Sequence, residues 1–588
     1  MNDNILKHIN KLEHNGLVNL AQEDPELEYI FRHALVQDAA YQSLLHTERQ
    51  KIHLWVATTL EQLYADRLAD VAPILADHFR AANKLDQASH YFTLAGDTAF
   101  DQFANEEAVS HYQAAFACQP VTTMDVDTLT HLYTNLGRAL EHLGQGHQAA
   151  QHYQQFEAIA HDRQDQSLLL TATTLRAKLA AVPGPSHDLP LAQTLLQQGL
   201  ALAREQHNQA AEARLLWIAV MADTFHLTTN EETIHNGKRS LTLARALNLK
   251  EQLAFTLHNL ALAYVSSKYI GQGIPMQLEA NQLWQEQNNQ AMFADGLANI
   301  AMSQTFLGHY EDAISQAQAS YHATNALEHH WGQVTSQFPI GIAYFERGEF
   351  ATGIHRLNHV LPYAQKVNHV PFLASSRADL ALMYAYCGQT DTAQNLLDDT
   401  ITLNQQISYL RPWLHSIQAD FYIWQNQPDK AAEILHPYTA NLPNLYRMGM
   451  AMRIALTQAK LAAHQERWAD ILTITAPVLA YYNETPSQFL QAAILTYRGR
   501  ALAHLGQPTP AHQTLLTALD LAQQQNLRHR LWPIYHTLAL LTTDPTQAAT
   551  YRQQAHTTIH NIAALCGPPQ WAQGFLNHPE VAPVLTSP

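Results

Sequence analysis

A short sequence pattern recurs at a regular interval through most of the chain. Three copies centred on Gly308, Gly348 and Gly388 are evenly spaced, with a period of about 40 residues that falls in the range of known helical repeats. Equivalent turn positions, at closely similar spacings, are Gly144, Ser186, His226, Lys268, Asn426, Glu466 and Gly506. A chain with an internal period of this length folds as a stack of one repeated supersecondary unit.

Small and aromatic residues recur at fixed offsets from these centres. Seven residues before most centres the residue is small: Gly137, Ala219, Ala261, Ala301, Gly341, Ala381, Ala419, Ala459 and Gly499. Four residues before several centres it is Tyr264, Tyr344, Tyr384 or Tyr422, and five after it is again small, as at Ala149, Ala313, Gly353, Ala393 and Ala431. Because offsets of three and four share one helix face, the pattern predicts two closely packed antiparallel helices per copy.

This order of small, aromatic, turn and small residues resembles the tetratricopeptide repeat, although the usual unit is shorter, at roughly 34 residues. The resemblance implies an all-α fold: a tetratricopeptide-like α-solenoid, in which antiparallel helix pairs stack into a right-handed superhelix. We expect repeats over residues 71–181, a proline-rich loop over 182–190, the main array over 191–565 and a tail over 566–588. Two turn centres, Asn83 and Phe103, lie only half a period apart, so we expect the helix between them to be the second member of one pair and the first of the next.

Residues 1–70 lack the repeat. The sequence ILKHINKLEHNGLV predicts an amphipathic helix that ends at Gly16, and we expect the chain from Glu26 to Tyr64 to be mostly helical. The sequence FRHALVQDAAY, at 31–41, resembles the junction between a winged helix and repeats in signal-transduction ATPases with numerous domains (STAND). More narrowly, it resembles those linked to class III nucleotide-cyclase domains. The resemblance implies a partial winged helix in residues 1–70 and a sensing role for the repeats.

Within that resemblance, His33 matches a histidine that meets the β-phosphate of bound ADP. Related proteins often have aspartate next, whereas this chain has Ala34. The alternative role for His33 is to start or pack a helix. Because GxxxxGK[ST] and cyclase motifs are absent from the sequence, any nucleotide contact requires an ATPase module in trans or in a longer product. We therefore expect the chain to be the C-terminal part of a larger regulator, from a truncated or split gene, without catalytic activity of its own.

Three asparagines occupy matching positions in the first helices of their repeats: Asn135, Asn259 and Asn299. In tetratricopeptide domains that bind peptides, asparagine at this position holds the ligand backbone from the concave face. A carboxamide suits this task because it both donates and accepts hydrogen bonds. The alternative is that these side chains bond within the array. The sequence thus predicts a protein or peptide ligand in a concave groove.

Charge and composition exclude several other functions. Asp and Glu outnumber Lys and Arg by 51 to 34, giving a net charge of −17, so we expect no nucleic-acid partner. No apolar stretch is long enough to span a membrane, and the N-terminus lacks the apolar core of a signal peptide. Cys118, Cys387 and Cys566 form no metal-ligand spacing, so we expect no metal and no cofactor, in a reducing cytoplasm.

Histidine is abundant, with 35 in the chain, and charging half of them near pH 6.5 would nearly cancel the net charge of −17. The sequence therefore predicts a change in solubility or self-association between about pH 7.5 and pH 6, unless the histidines reflect composition alone.

Three functional hypotheses follow. The first is the non-catalytic sensor and scaffold region of a signal-transduction ATPase or cyclase regulator, and the alternative is a free-standing tetratricopeptide adaptor that binds peptides. A third, an enzyme fragment that retains nucleotide binding, would need the P-loop that this sequence lacks.

Overall fold

The computed structural model describes residues 3–22, 28–182, 184–226, 228–367, 369–403, 410–439 and 449–586. These residues are α-helical apart from turns, short 3₁₀ segments and one antiparallel hairpin formed by β1 (Val18–Gln22) and β2 (Glu28–Phe31). The chain divides into two compact units, residues 1–195 and 196–588.

The first unit contains the hairpin and the helices α1 (Asp3–His14), α2 (Ala34–Gln42), α3 (His46–Leu63), α4 (Leu68–Ala81), α5 (Leu85–Asp101), α6 (Asn105–Cys118), α7 (Val126–His142), α8 (Gly146–Asp162) and α9 (Gln166–Ala181). The division between the units falls inside α10 (Leu189–Glu205).

The second unit continues with α11 (Gln209–Phe225), α12 (Glu231–Ala246), α13 (Lys250–Val265), α14 (Ile270–Glu286), α15 (Gln290–Leu307), α16 (Tyr310–Ala326), α17 (His330–Gln337), α18 (Ile340–Arg347), α19 (Phe350–Lys366), α20 (Val370–Tyr386) and α21 (Thr390–Leu403). It ends with α22 (Arg411–Trp424), α23 (Pro428–Leu435), α24 (Met450–His464), α25 (Trp468–Glu484), α26 (Gln491–His504), α27 (Pro508–Gln524), α28 (Arg528–Leu541), α29 (Pro545–Ala564), α30 (Pro569–Leu576) and α31 (Ala582–Thr586).

Helix pairs are held together by a small residue on one helix and a large residue on the next. A Cβ atom added to Gly137 would lie 2.1 Å from the Tyr153 ring, and one added to Gly499 would lie 2.6 Å from Leu515. Both pairs of residues have the same separation in sequence and flank a predicted turn. Within each unit, helices of one pair also pack against the next pair, as α6 does on α7 and α14 on α15, so the core is shared between repeats. The all-α, tetratricopeptide-like repeat fold is therefore confirmed.

Left-handed backbone marks the predicted turns. Gly308, Gly348 and Gly388 have φ of 92°, 69° and 74°, and Asn426 and Glu466 have 55° and 58°. A glycine or a polar residue with positive φ ends the first helix and starts the turn. The predicted centres Ser186, His226 and Lys268 lack this conformation. A second series of positive-φ residues ends the second helices, at Gln164, His207, Asn248, Asn288, Glu328 and Asn526.

Two local predictions require correction. The segment expected to be mostly helical contains strand β2, because Glu28–Phe31 pairs with β1. The loop predicted over 182–190 is shorter, since α10 already begins at Leu189; residue 183 lies outside the described residues. The tail from residue 566, for which the sequence predicts no particular structure, contains two helices, and its Phe575 and Val581 are buried in the core of the second unit.

Helix α5, between Asn83 and Phe103, packs against both α4 and α6. It therefore packs as the second member of one pair and the first of the next, as the closely spaced turn centres predict.

Candidate functional site

Polar side chains line one face of four first helices in the second unit. They are Glu346 on α18, Asp379 on α20, Asp420 on α22, and Arg453 and Lys460 on α24. Each of these residues stands a certain number of residues before the turn centre of its own repeat. When these numbers are placed in increasing order, they differ by four, three and four. Steps of three and four keep these positions on the same side of a helix. All five residues are buried, and we call the surface that they share the inner face.

Helix α28 covers the inner face at α18. The Arg530 guanidinium donates from Nε to Oε2 of Glu346 at 2.6 Å and from Nη2 to Oε1, which makes a bidentate pair. Arg528 donates from Nη2 to Oε1 of Glu349 at 2.6 Å. The first pair joins residues 184 positions apart and is nearly free of solvent. Such charges tolerate burial because they are paired and hydrogen-bonded.

A second charged cluster lies deeper, around Asp420. Its Oδ2 atom accepts from Arg453 Nη2 at 2.7 Å and from Lys460 Nζ at 3.3 Å. The carboxylate has no exposed surface, and both cations are at most 6% exposed. Two cations around one buried carboxylate leave a local positive charge, which makes Lys460 available to a further carboxylate.

That further carboxylate is Glu580, between α30 and α31. Its Oε2 accepts from the Tyr386 hydroxyl at 2.6 Å, and its Oε1 accepts from Trp424 Nε1 at 3.1 Å and lies 4.0 Å from Lys460 Nζ. The His578 ring stacks on Tyr386 with centroids 4.1 Å apart. Burial alone would raise the pKa of Glu580, but Lys460 and the other partners hold it well below its usual range.

A cavity of about 20 Å³ lies in the inner face, lined by Glu346, Asp379 and Arg453 together with apolar side chains. This volume accommodates one water molecule. Burial raises the pKa of the Asp379 carboxyl to about 7, although Arg453 opposes the shift. Later segments of the same chain fill the space against these four helices, so the inner face is closed here.

The predicted asparagines make hydrogen bonds within the array. Asn259 donates from Nδ2 to the Phe255 carbonyl at 3.0 Å, and Asn299 donates to Gln277 Oε1 at 3.1 Å. Both side chains are buried. Asn135, in the first unit, donates to Asp97 Oδ1 at 3.3 Å. The structure thus places Asn259 and Asn299 on neighbouring repeats of one unit, with their amide nitrogens already engaged.

The Asp97 carboxylate accepts hydrogen bonds from further side chains besides Asn135. It accepts from His131 Nε2 at 2.8 Å and from the Tyr112 hydroxyl at 2.8 Å. The hydrogen bond to Asp97 raises the pKa of His131. Burial would raise the pKa of Asp97, but its hydrogen bonds to His131 and Tyr112 lower it overall.

His33 stands at the N-cap of α2, where its side chain makes no capping hydrogen bond, and it is exposed. Helix α2 buries none of its side chains, and α3 buries only Ala57. Large apolar residues of this region stand in solvent: Ile30, Phe31, Leu35, Tyr41, Leu45, Ile52, Trp55 and Leu63. We call these residues the N-terminal apolar surface.

Sequence reasoning missed the inner-face charges and the C-terminal segment. One signal was present: Asp379 stands before Gly388 at the same position that Asn259 and Asn299 occupy before their own turn centres. Nothing in the local sequence links Glu580 to Tyr386, because 194 positions separate them.

The cysteines are free and buried. Cys387 and Cys566, remote in sequence, lie side by side, and the contact with Cys566 together with burial raises the pKa of the Cys387 thiol. Among the described residues, no group of three or more His, Cys, Asp or Glu side chains could hold a metal ion. No helix in the described ranges is long and apolar enough to cross a membrane.

No protein-family model matches the sequence, and no curated protein matches it. Solved structures resemble it at low identity. The apo form of RapI is 13% identical with a TM-score of 0.42, over 62% of this chain and 97% of that chain. A signal transduction ATPase with numerous domains and a tetratricopeptide repeat sensor, from Pyrococcus horikoshii, is 13% identical with a TM-score of 0.43; the match covers 68% of this chain and 58% of that one. The human IFIT1 dimer with m7Gppp-AAAA is 15% identical with a TM-score of 0.37, over 78% and 95%.

Proposed function

We propose that this chain is a non-catalytic protein-binding scaffold and, more narrowly, the sensor region of a signal-transduction ATPase or cyclase regulator. The observation that carries the proposal is the N-terminal apolar surface beside the helical repeats. Leu35, Leu45 and Trp55 are 82%, 68% and 67% exposed. Covering each of these side chains would contribute about 1.5–3 kcal/mol, so together they provide a strong driving force for docking.

The local structure supports a docked partner. A two-stranded hairpin is marginally stable by itself, and of its side chains only Val18 is buried. Helix α2 likewise lacks a packed face. The resemblance of residues 31–41 to the junction in STAND regulators suggests a P-loop ATPase module as that partner, with His33 directed at its nucleotide.

The test uses the full chain and the P-loop ATPase encoded beside it or in frame with it. We expect binding in calorimetry, and loss of at least roughly tenfold in affinity when Leu45 and Trp55 are both changed to Ser. Leu540→Ser is the matched control, since Leu540 is 69% exposed in the second unit. Absence of an adjacent ATPase gene, or equal binding by the double variant, would contradict the proposal.

Catalysis is tested separately. Without a P-loop the chain should bind neither ADP nor ATP on its own, so calorimetry with each nucleotide should give no heat of binding. Binding by the isolated chain at micromolar concentration would overturn the non-catalytic assignment.

A second candidate is a free-standing peptide-binding adaptor. The specific observation in its favour is that a short segment of the chain, His578–Glu580, already binds side chains of successive first helices as a peptide ligand would. Asn135, Asn259 and Asn299 remain proposed contributors to peptide binding through their carboxamide oxygens.

A protein partner, rather than nucleic acid or membrane, is also part of the proposal. The net charge of −17 supports it electrostatically. The free cysteines support a reducing cytoplasm. Filter binding of single-stranded RNA at low salt tests whether the chain binds nucleic acid, and retention of RNA on the filter would contradict the proposal.

A further inference from the structure

We propose that Tyr386, Trp424 and Lys460 form a binding site for an acidic segment of a protein partner, and that the chain's own residues 578–580 occupy this site until the partner displaces them. The inference rests on the proposed scaffold function and specifies the ligand that the inner face takes. The segment offers an imidazole ring and, two residues later, a carboxylate. We therefore assign the site to peptides in which an aromatic or imidazole ring precedes a carboxylate at this spacing.

The three site residues come from successive first helices. Tyr386 ends α20, Trp424 ends α22, and Lys460 lies in the last turns of α24. Tyr386 and Trp424 each lie two residues before their turn centres, Gly388 and Asn426. The repeat thus presents the same position twice, and the two donors converge on the two oxygens of one carboxylate. A hydroxyl, an indole N–H and an ammonium around one carboxylate make a directed anion site.

The His578 ring makes contacts as specific as those of the Glu580 carboxylate. His578 stacks on Tyr386 with an interplanar angle of 15°, and it meets Trp424 edge to face with centroids 5.0 Å apart. The Glu580 backbone N–H donates to His578 Nδ1 at 3.2 Å, which fixes the turn between ring and carboxylate. This arrangement uses side chains and a local turn, so a segment of another protein with the same spacing can make the same contacts.

The site is reachable from solvent. The Glu580 side chain keeps 26% of its surface exposed, whereas Lys460 beneath it keeps 6%. The segment lies between the short helices α30 and α31, which follow Gly567 and Pro568. Because Phe575 and Val581 on either side of it are buried in the core, the segment leaves together with these short helices. The helices that form the site keep their own pairing partners.

The test uses the full chain and a fluorescent peptide with the sequence of residues 577–586, NHPEVAPVLT. The double variant His578→Ala with Glu580→Gln removes the ring and the carboxylate with which residues 578–580 occupy the site. We expect this variant to bind the peptide at least roughly tenfold more tightly than the parent chain does. A peptide with Gln in place of the glutamate should bind it roughly tenfold more weakly. The control Glu433→Gln, at an exposed position, should bind as the parent chain does.

Equal binding by the variant and the parent chain, or no binding by a variant that keeps its helical circular dichroism, would overturn the proposal. If the variant does not fold, the parent chain provides the second measurement. An excess of unlabelled peptide should then accelerate hydrogen exchange of backbone amides in residues 569–586, and unchanged exchange would overturn the proposal. Because neither experiment involves the N-terminal apolar surface, failure here is distinguishable from failure of ATPase docking.

Discussion

The Arg530 guanidinium donates hydrogen bonds to both carboxylate oxygens of Glu346, although 184 positions separate the two residues in the sequence. This pair brings α28 onto α18 and closes the inner face against solvent. It differs from the packing within the repeats, which joins residues of adjacent helices across a single turn. The closed inner face, rather than an open groove, is the feature of the second unit that bears most on binding.

Breaking this pair should be costly. Glu346→Gln leaves the Arg530 charge buried without a counterion, so we expect the free energy of unfolding of the second unit to fall by about 3–5 kcal/mol. Urea denaturation followed by tryptophan fluorescence measures the change.

An exposed pair provides the control. Arg245→Met removes the contact with Glu279, in which both side chains are largely exposed. We expect a change below about 1 kcal/mol. Equal effects of Glu346→Gln and Arg245→Met would mean that the inner face is open to water.

The turn at Gly388 should be intolerant of a side chain for two reasons. Its φ is 74°, and an added Cβ would lie 2.6 Å from the Cα atom of Gly574. Gly388→Ala should therefore loosen α30, and limited proteolysis should cut residues 566–586 faster. Gly144→Ala is the matched control, because Gly144 has φ of 71° and nothing within 4 Å. It should cost only the backbone strain of about 1 kcal/mol, and equal proteolysis of both variants would refute the close approach.

Local packing rules explain why the repeats are predictable from sequence. Each contact within a helix pair joins two residues at fixed sequence offsets from a turn, as in Gly137 with Tyr153 and Gly499 with Leu515. The repeat in the sequence is therefore enough to predict these contacts. The closure of the inner face is not predictable in this way. The repeat does not relate the positions of Arg530 and Glu346. Their contact depends on how all of the helices between them are packed.

The candidate site was predictable in part. The sequence identified Asn259 and Asn299 as polar residues on first helices, but it could not show that their amide groups bond to Phe255 and Gln277. Strand β2 was missed because residues 28–31 precede a helical sequence without a clear boundary.

Stability should depend on pH through Asp379. Burial raises its pKa from 3.8 to about 7, so the folded state binds this proton more tightly than the unfolded chain does. The resulting stabilisation is complete below about pH 4 and is lost as the pH rises to about 7. Asp379→Asn, which stays neutral beside Glu346 and Arg453, should gain about 2–3 kcal/mol relative to the parent chain between pH 5 and pH 8. Parallel stability curves for the two proteins would contradict this.

The abundance of histidine should have less effect on charge than the count of 35 predicts. Burial lowers the pKa of ten histidines: His78, His142, His152, His258, His329, His369, His415, His529, His536 and His578. The raised pKa of His131 and of the buried Asp295 and Asp379 offsets only part of this. Native isoelectric focusing should therefore place the folded chain below the sequence value of 6.0, and focusing in urea should return it to about 6.0. Equal values in both conditions would contradict the burial of these imidazoles.

The contact between Tyr386 and Glu580 tests the account most directly, because it joins the inner face to the segment that fills it. A double-mutant cycle with Tyr386→Phe and Glu580→Gln, measured by urea unfolding, isolates their interaction from the separate effects of each change. The hydrogen bond from the Tyr386 hydroxyl to the carboxylate is 2.6 Å long, and we predict a coupling free energy of about 1.5–3 kcal/mol. A coupling free energy of zero would show that the C-terminal segment does not occupy the inner face in solution.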